Sequence, residues 1–195
     1  MARGLKTLLD EVRGCTICAD ALPHGTRPVL QAGASARVLI AGQAPGRRVH
    51  ESGVPFDDPS GDRLRVWLGV TREEFYDPER IAILPMGFCY PGTGKSGDLP
   101  PRPECAPAWR EAVLARLTRV ELTVVLGKWA LAYHLPEAPS TVTAAVGAWR
   151  ESWPAVLPLP HPSPRNQGWF KRNAWFEKDL LPPLRERVRL LLGGR

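Results

Sequence analysis

The sequence predicts one α/β domain over residues 1–195, a three-layer α/β/α sandwich whose central four-stranded sheet is mostly parallel. Two observations support this prediction. Four short apolar runs rich in β-branched residues alternate with stretches of helical spacing, and no change of composition marks a linker or a repeat. A chain of 195 residues is long enough for one well-buried core and short for two.

The four apolar runs have the length and composition of buried strands. They cover residues 37–41, 81–84, 122–126 and 156–159, with the sequences RVLIA, IAIL, LTVVL and VLPL. Continuous apolar runs of this kind are typical of parallel strands that helices cover on both faces.

The helices are predicted from apolar residues at helical spacing, which recur over residues 108–117 and 127–134 and at both ends of the chain. Prolines at 182 and 183 suit the opening of the last helix. The apolar positions are Trp109, Ala112, Val113 and Leu117 in the first stretch, Leu5, Leu8, Leu9 and Val12 near the start of the chain, and Leu184, Val188 and Leu191 near its end.

Composition and charge restrict the class of protein. Lys and Arg outnumber Asp and Glu by 26 to 20, and the formal charge of +6 is compatible with attraction to phosphate backbones, although basic surfaces also serve solubility. No apolar run approaches bilayer-spanning length, and residues 1–6 lack the pattern of a secretory signal. We therefore expect a cytoplasmic, monomeric protein with no membrane partner.

Two polar loops, stiffened by glycine and proline, follow the first and last predicted strands. One has the sequence GQAPG at residues 42–46 and the other HPSPRN at residues 161–166. Ligands of open parallel sheets bind in the crevice outside the carboxyl ends of the strands. We therefore expect the chemistry of this protein where the two loops emerge from the sheet.

The two loops resemble the signature motifs of the uracil-DNA glycosylase superfamily. GQAPG followed by GVPF at residues 53–56 is similar to motif one of the iron–sulfur family 4 enzymes, and HPSPRN resembles the second motif of the single-strand-selective monofunctional uracil glycosylases. The resemblance runs from Cys15 to about Trp175, and both motifs occur in order. It implies a DNA base-excision repair hydrolase that flips uracil or a related deaminated base and hydrolyses its N-glycosidic bond, leaving an abasic site.

The resemblance implies a role for each loop in the base pocket. Phe56 would stack on the flipped base, and a neutral His161 would donate a hydrogen bond to the base carbonyl oxygen where negative charge develops. Backbone groups of the first loop would bind the base and help to hold the attacking water. The residues of that loop are Gln43, Ala44, Pro45 and Gly46.

The resemblance also implies contacts with DNA. The turn that follows Ser163, formed by Pro164, Arg165 and Asn166, would enter the minor groove and fill the space of the extruded base. A phosphate contact or plain solvent exposure of Arg165 is an equal alternative. In the helix-like segment after this turn, Lys171 and Arg172 would meet phosphates.

Motif one lacks its usual carboxylate. Family 4 enzymes have a glutamate where this chain has Gln43, and the best-known uracil glycosylases have an aspartate where it has Ala44. Gln43 can still orient a water. Among the titratable residues that follow in the same loop we favour His50 for this task, because it falls where the family 4 loop is acidic. Asp57 and Asp58 are alternatively helix-capping residues.

A second departure concerns recognition of the base. These enzymes commonly read the uracil edge with an asparagine at the end of the second strand, where this chain has Pro85, Met86 and Gly87. Proline has neither a side-chain donor nor an N–H group. Selectivity for uracil would therefore come from the backbone or from elsewhere, and another damaged base is an alternative target.

The four cysteines predict a metal site. Cys15 and Cys18 form a C-x-x-C pair, and Cys89 and Cys105 flank a loop rich in proline and glycine. In a reducing compartment such pairs suit metal ligation better than disulfides, and four thiolates suit either a 4Fe–4S cluster or structural zinc. The spacing resembles that of the cluster ligands of family 4, so the resemblance favours iron in a structural role.

Two other functions stay open. The missing carboxylate and asparagine allow a DNA-binding protein that kept the fold and lost catalysis, and covalent capture of the abasic sugar by His50 would make a crosslinking protein. A bifunctional glycosylase would need a desolvated lysine near the sugar. Lys128, which directly follows a predicted strand, is poorly placed for that role.

Overall fold

The computed structural model of the chain describes residues 4–95 and 97–193. Residues 1–3, part of the segment 1–6 that we expect to lack a secretory signal, lie outside this range. Four strands form one parallel sheet in the order β2–β1–β5–β6, and two short antiparallel strands form a separate hairpin, β3–β4. Their bounds are β1 (Val38–Ala41), β2 (Ile81–Ile83), β3 (Thr93–Gly94), β4 (Gly97–Asp98), β5 (Leu122–Leu126) and β6 (Val156–Leu159).

The helices within the described ranges surround this sheet. Short 3₁₀ turns lie at Ala19–Ala21, Trp149–Glu151 and Pro164–Asn166, and π-helical turns at Ala106–Arg110 and Phe176–Leu180. The α-helices are α1 (Leu5–Arg13), α2 (Arg47–Ser52), α3 (Pro59–Leu68), α4 (Arg72–Phe75), α5 (Glu111–Leu114), α6 (Gly127–His134), α7 (Val142–Gly147), α8 (Gln167–Arg172) and α9 (Leu181–Leu191).

The two faces of the sheet are covered by different helices. Because side chains alternate along a strand, Val38 and Ile40 of β1 pack on one face, in a cluster with apolar residues of α3 and α9. Leu39 lies on the other face, in a cluster with residues of α1 and α5. The predicted three-layer α/β/α sandwich with a four-stranded sheet is confirmed, and within the described residues all four of its strands are parallel.

One predicted helix differs from the structure. The stretch 108–117 contains the π-helical turn Ala106–Arg110 followed by α5, which ends at Leu114. Val113 and Leu117 are buried as expected, but Ala112 is exposed. A π turn holds more residues than an α turn, so it rotates the apolar face away from the position that regular spacing predicts.

The carboxyl ends of the strands form a common edge where the polar loops emerge. The chain leaves β1 at Gly42, β2 at Leu84 and β6 at Pro160, and the hairpin β3–β4 belongs to the long connection after β2. This hairpin folds back toward the loop after β1, since Gln43 Nε2 donates a hydrogen bond to the carbonyl oxygen of Leu99 at 3.2 Å. Three separate segments therefore meet at this edge.

No helix among the residues described combines the length and the apolar character that a membrane crossing requires.

Candidate functional site

A cavity of about 330 Å³ opens at the carboxyl edge of the sheet. This volume lies in the range of small-molecule sites. Its wall contains residues of both polar loops, the residue that follows β2 by two positions, and the last residue of β4. The residues that bear on the chemistry are Gln43, Ala44, Pro45, Gly46, Phe56, Pro85, Asp98, His161, Ser163, Pro164 and Arg165.

The His161 ring is held in one orientation by the turn that follows it. The backbone N–H of Ser163 donates to His161 Nδ1 at 3.2 Å, so the proton of the neutral ring resides on Nε2. Burial lowers the pKa of His161 below its ordinary value of 6.5, while the charges of Asp58 and Asp98 act in the opposite direction. At neutral pH the ring is therefore neutral and has one N–H to offer.

Phe56 reaches the cavity through an unusual backbone conformation. Its φ of 53° lies in the left-handed region, which residues other than glycine rarely adopt. Its ring packs edge-on against Phe75, with 6.2 Å between centroids, and its outer end reaches the start of the first loop, where a Cβ on Gly42 would lie 3.7 Å from Phe56 Cζ. The residue also borders the cavity.

The first loop is fixed to the end of β2 by backbone hydrogen bonds. The N–H of Met86 donates to the carbonyl of Gly42 at 2.8 Å, and the N–H of Gly87 donates to the carbonyl of Gln43 at 2.9 Å. The side-chain amide of Gln43 donates a hydrogen bond to the carbonyl of Leu99. The loop is therefore preorganised, and Gln43 joins it to the hairpin.

A buried arginine supports the segment that contains Pro85. The fully buried Arg110 donates from Nη1 to the carbonyls of Leu84 at 2.7 Å and Pro85 at 2.9 Å, and its Nη2 lies 2.6 Å from His134 Nε2. Burial lowers the pKa of Arg110 to about 10, so it stays charged at neutral pH. Sequence reasoning missed Arg110, because nothing in its neighbourhood distinguishes it from an exposed arginine of a helix.

His50, expected from the sequence as a candidate to activate water, lies outside the wall of the cavity. Its ring is 5.9 Å from that of Tyr90 and 6.2 Å from that of His24, and its Nδ1 is buried without a hydrogen-bond partner. Asp57 pairs with Arg72 at 3.5 Å. The α2 helix thus directs the His50 ring away from the cavity.

Two aspartates line the cavity, and their surroundings differ. Asp58 is the N-cap of α3, where its Oδ1 accepts from the N–H of Gly61 at 2.9 Å, which is the capping role that the sequence left open. Asp98, at the end of β4, accepts a hydrogen bond at Oδ1 from Thr93 Oγ1 at 3.2 Å. Sequence reasoning missed Asp98, because the fold of the hairpin rather than any motif brings it here.

The first residues of the second loop line the cavity, whereas its last residue stabilises the loop itself. Ser163, Pro164 and Arg165 line the wall, whereas Asn166 Nδ2 donates to the carbonyl of His161 at 2.7 Å. Asn166 is therefore occupied in bracing the turn. Pro164 begins a 3₁₀ turn that Ser163 caps by accepting the N–H of Arg165 at 3.2 Å.

Basic residues lie at and beyond the opening of the cavity. Arg47 and Arg48, at the start of α2, are exposed and border the cavity together with Arg165. Lys171 and Arg172, expected at phosphates, are exposed near the end of α8. The two arginines of α2 were not predicted, although they directly follow the first loop.

Lys128 is not part of the cavity wall. Its Nζ lies 4.9 Å from the centre of the Trp129 ring, in a cation–π contact on α6. No lysine occurs among the described residues that line the cavity.

The four cysteines border a second, smaller cavity, between the end of α1 and the start of the π-helical turn at Ala106–Arg110. All four are free thiols. Trp109 Nε1 donates to Cys15 Sγ at 3.1 Å, and the N–H of Phe88 donates to Cys105 Sγ at 3.3 Å. Burial raises the pKa of Cys89 to about 11 and that of Cys105 to about 12.

As they stand, the described residues contain no group of three or more His, Cys, Asp or Glu side chains placed to hold a metal ion. The donor set nevertheless has the chemistry of a metal site, with four thiols around one cavity and N–H donors directed at two of the sulfurs.

Comparison with known families shows the superfamily to which the chain belongs. The family model of the uracil DNA glycosylase superfamily matches residues 30–185, a range that holds both loops, all four strands of the sheet and every residue named above as bordering the larger cavity. Cys15 and Cys18 precede the matched range. Since the match covers well over half of the chain, this protein belongs to the uracil-DNA glycosylase superfamily.

Proposed function

We propose that this protein is a monofunctional DNA glycosylase of base-excision repair, which flips uracil or a related deaminated base out of DNA and hydrolyses its N-glycosidic bond. One observation carries the proposal: the N–H of a neutral His161 ring and the aromatic face of Phe56 are available at the same cavity. A departing base needs both, a surface to stack on and a donor for its developing charge.

The reaction follows from these two groups. The extruded base lies against Phe56, and His161 Nε2–H donates to its carbonyl oxygen. As the C1′–N bond breaks, the bonding electron pair leaves with the base, and the fixed donor stabilises the negative charge. Water then adds to C1′ and leaves an abasic site. The neutral ring suits this task, because a donor that is already fixed needs no reorganisation.

The substrate class of the proposal is uracil together with other deaminated bases. The wall beside Pro85 also contains Ile83 and Val29, so this part of the pocket is apolar. Pro85 has no donor that could distinguish one base edge from another. Nη1 of Arg110 donates to the carbonyls of Leu84 and Pro85 and is therefore already engaged. Shape and stacking therefore weigh more than edge recognition in the choice of base.

DNA binding rests on the basic residues around the opening. Arg47, Arg48 and Arg165 border the cavity that the flipped nucleotide would enter, and Lys171 and Arg172 stand exposed on α8. Arg165 follows Pro164 in a braced turn, which favours insertion into the space of the extruded base. The absence of a lysine from the described cavity wall agrees with hydrolysis rather than Schiff-base chemistry.

The proposal includes a 4Fe–4S cluster bound by Cys15, Cys18, Cys89 and Cys105, as in family 4. A zinc ion draws its thiolates to bonds of about 2.3 Å, whereas a cluster occupies a volume between them. The spacing of the four cysteines, which resembles that of the family 4 cluster ligands, favours the cluster over zinc. When bound, the cluster would join the end of α1 to the long connection that holds the hairpin.

Metal content distinguishes the two candidates. Protein purified without oxygen should absorb in the visible region and contain about four iron and four sulfide per chain, and Cys105→Ser should lose both. Stoichiometric zinc without visible absorbance would show a structural zinc site instead.

The glycosylase function is tested with oligonucleotides that contain uracil, hypoxanthine or xanthine, single- and double-stranded, followed by alkaline cleavage and a denaturing gel. We expect strand cleavage at a deaminated base, and a loss of about 100-fold or more in single-turnover rate for His161→Ala. The melting temperature and DNA affinity of the variant serve as controls for folding and binding.

Other outcomes identify the competing functions. Salt-sensitive DNA binding without base release from any of these substrates would indicate a binding protein. A denaturant-stable protein–DNA band that vanishes in His50→Ala would indicate covalent capture of the sugar, which the position of His50 outside the cavity disfavours.

A further inference from the structure

We infer that Asp98 supplies the carboxylate that motif one lacks, and that it holds the water which attacks C1′ of the flipped nucleotide. The inference rests on the proposed glycosylase function and assigns a catalytic residue that comes from outside both motifs.

Asp98 lies beside the loop that would otherwise carry the carboxylate. A Cβ placed on Gly46, the last residue of GQAPG, would lie 3.5 Å from Asp98 Oδ2. Oδ1 is held by Thr93, whose hydroxyl in turn contacts the Tyr90 hydroxyl. One carboxylate oxygen is therefore fixed by the hairpin, while the other faces the first loop at the cavity wall.

The charges of the site match the reaction. In glycosidic bond cleavage the sugar becomes positive and the base becomes negative. A carboxylate stabilises the first and a neutral N–H donor stabilises the second. Asp98 and His161 provide these two groups, and they share one cavity closely enough for the charge of Asp98 to oppose the lowering of the His161 pKa by burial.

The acidic residues of motif one itself are engaged elsewhere. Glu51 pairs with Arg47 at 2.9 Å, and Asp57 pairs with Arg72. Asp58 lines the cavity, but its Oδ1 caps α3. Among the carboxylates of the described cavity wall, Asp98 is the one that no helix cap employs.

Gln43 and Asp98 depend on each other. The Gln43 amide donates to the carbonyl of Leu99, the residue that follows Asp98, and so ties the hairpin to the first loop. A glutamate at 43 has no N–H for this bond, and its charge would repel Asp98. The substitution that removes the carboxylate from motif one is thus the same one that allows the hairpin to present another.

The proposed step conserves protons and electrons. The C1′–N bond breaks and its electron pair leaves with the base, and the water oxygen then forms its bond to the positive C1′. One proton of the water passes to the Asp98 carboxylate and then to solvent.

The test compares single-turnover excision rates on the deaminated base that wild type releases. Asp98→Asn should lower the rate by about 100-fold, in the range of general-base catalysis, with melting temperature and DNA affinity kept within a factor of about three. Asp10→Asn, the same charge change in a surface ion pair on α1, should keep the full rate.

A double substitution separates a chemical role from a structural one. Gln43→Glu alone should slow excision, since it breaks the tie to Leu99 and adds repulsion. In the Asp98→Asn background the same change returns a carboxylate to motif one and should recover at least tenfold of the lost rate.

Each outcome has one meaning. Wild-type rates in Asp98→Asn would overturn the role of Asp98 and leave the glycosylase intact. Absence of base release by the wild-type protein would overturn the proposed function itself, and this inference with it.

Discussion

Phe56 stores backbone strain at the centre of the site. A non-glycine residue in the left-handed region costs on the order of 1–3 kcal/mol, which the surrounding contacts must supply. They come from the Phe75 ring and from close approach of Gly61, where an added Cβ would lie only 1.8 Å from the Phe56 carbonyl oxygen. The orientation of the stacking ring therefore depends on a glycine five residues away.

Gly61→Ala should displace Phe56 and abolish excision. The added methyl group cannot coexist with the Phe56 carbonyl in its present place, so the left-handed residue has to move and the ring leaves the cavity. Single-turnover rates and a thermal melt would measure both effects. Gly147→Ala is the matched control, because a Cβ there meets no atom within 4 Å. Equal activity in both variants would show that the ring position does not matter.

His134 should make stability sensitive to acid. Burial and the nearby Arg110 lower its pKa from 6.5 to about 4. Between pH 6.5 and pH 4 the unfolded chain therefore binds a proton at His134 that the folded chain does not. The free energy of unfolding should fall across this window, by roughly 2–3 kcal/mol at the low end.

Urea denaturation at pH 7 and pH 4.5 tests this prediction. His134→Gln keeps an acceptor for Arg110 but cannot titrate, so its stability should fall less between the two pH values than that of wild type. If both proteins lose the same free energy, His134 does not contribute to the acid sensitivity.

At the scale of elements, the sequence predicted the strands and helices whose positions depend on the spacing of apolar residues. The strands β5 and β6 and the helix α6 have the predicted bounds, and β1 and β2 differ by one residue. Each of these elements buries a regular face, so its apolar residues recur at regular spacing in the sequence. The hairpin escaped prediction because β3 and β4 have two residues each and no apolar alternation.

The residues of the site divide in the same way, into those that a local motif predicts and those that only the fold brings together. Phe56, His161 and the GQAPG loop lie in local motifs, and all of them border the cavity. Asp98 and Arg110 act through contacts between segments distant in sequence, which no local spacing encodes. His50 was favoured because of its position in the chain, and the turn of α2 directs its ring toward Tyr90 instead.

At the scale of the whole molecule, the net charge of +6 includes arginines that lie at the cavity, where they can contact phosphates. Arg47 and Arg48 lie there, and each phosphate contact contributes to the salt dependence of binding. Replacing both with alanine should weaken binding to DNA of any sequence and reduce the slope of log K against log salt by about 1.8 on a duplex.

Fluorescence anisotropy with a labelled duplex at several salt concentrations measures this slope. Arg13→Ala, which removes one positive charge from an exposed ion pair on α1, should leave the slope unchanged. A change per removed charge as large as that in the double variant would mean that net charge, rather than these two contacts, governs binding.

The parallel sheet gives each task at the site to a different segment. The wall at Pro85 comes from the end of β2, His161 from the end of β6, and Asp98 from the connection that follows β2. The end of β2 and the loop that carries His161 are separate segments of the chain. Under the proposed function, drift at the end of β2 can therefore change the choice of base while selection on the β6 loop preserves the donor for the leaving group.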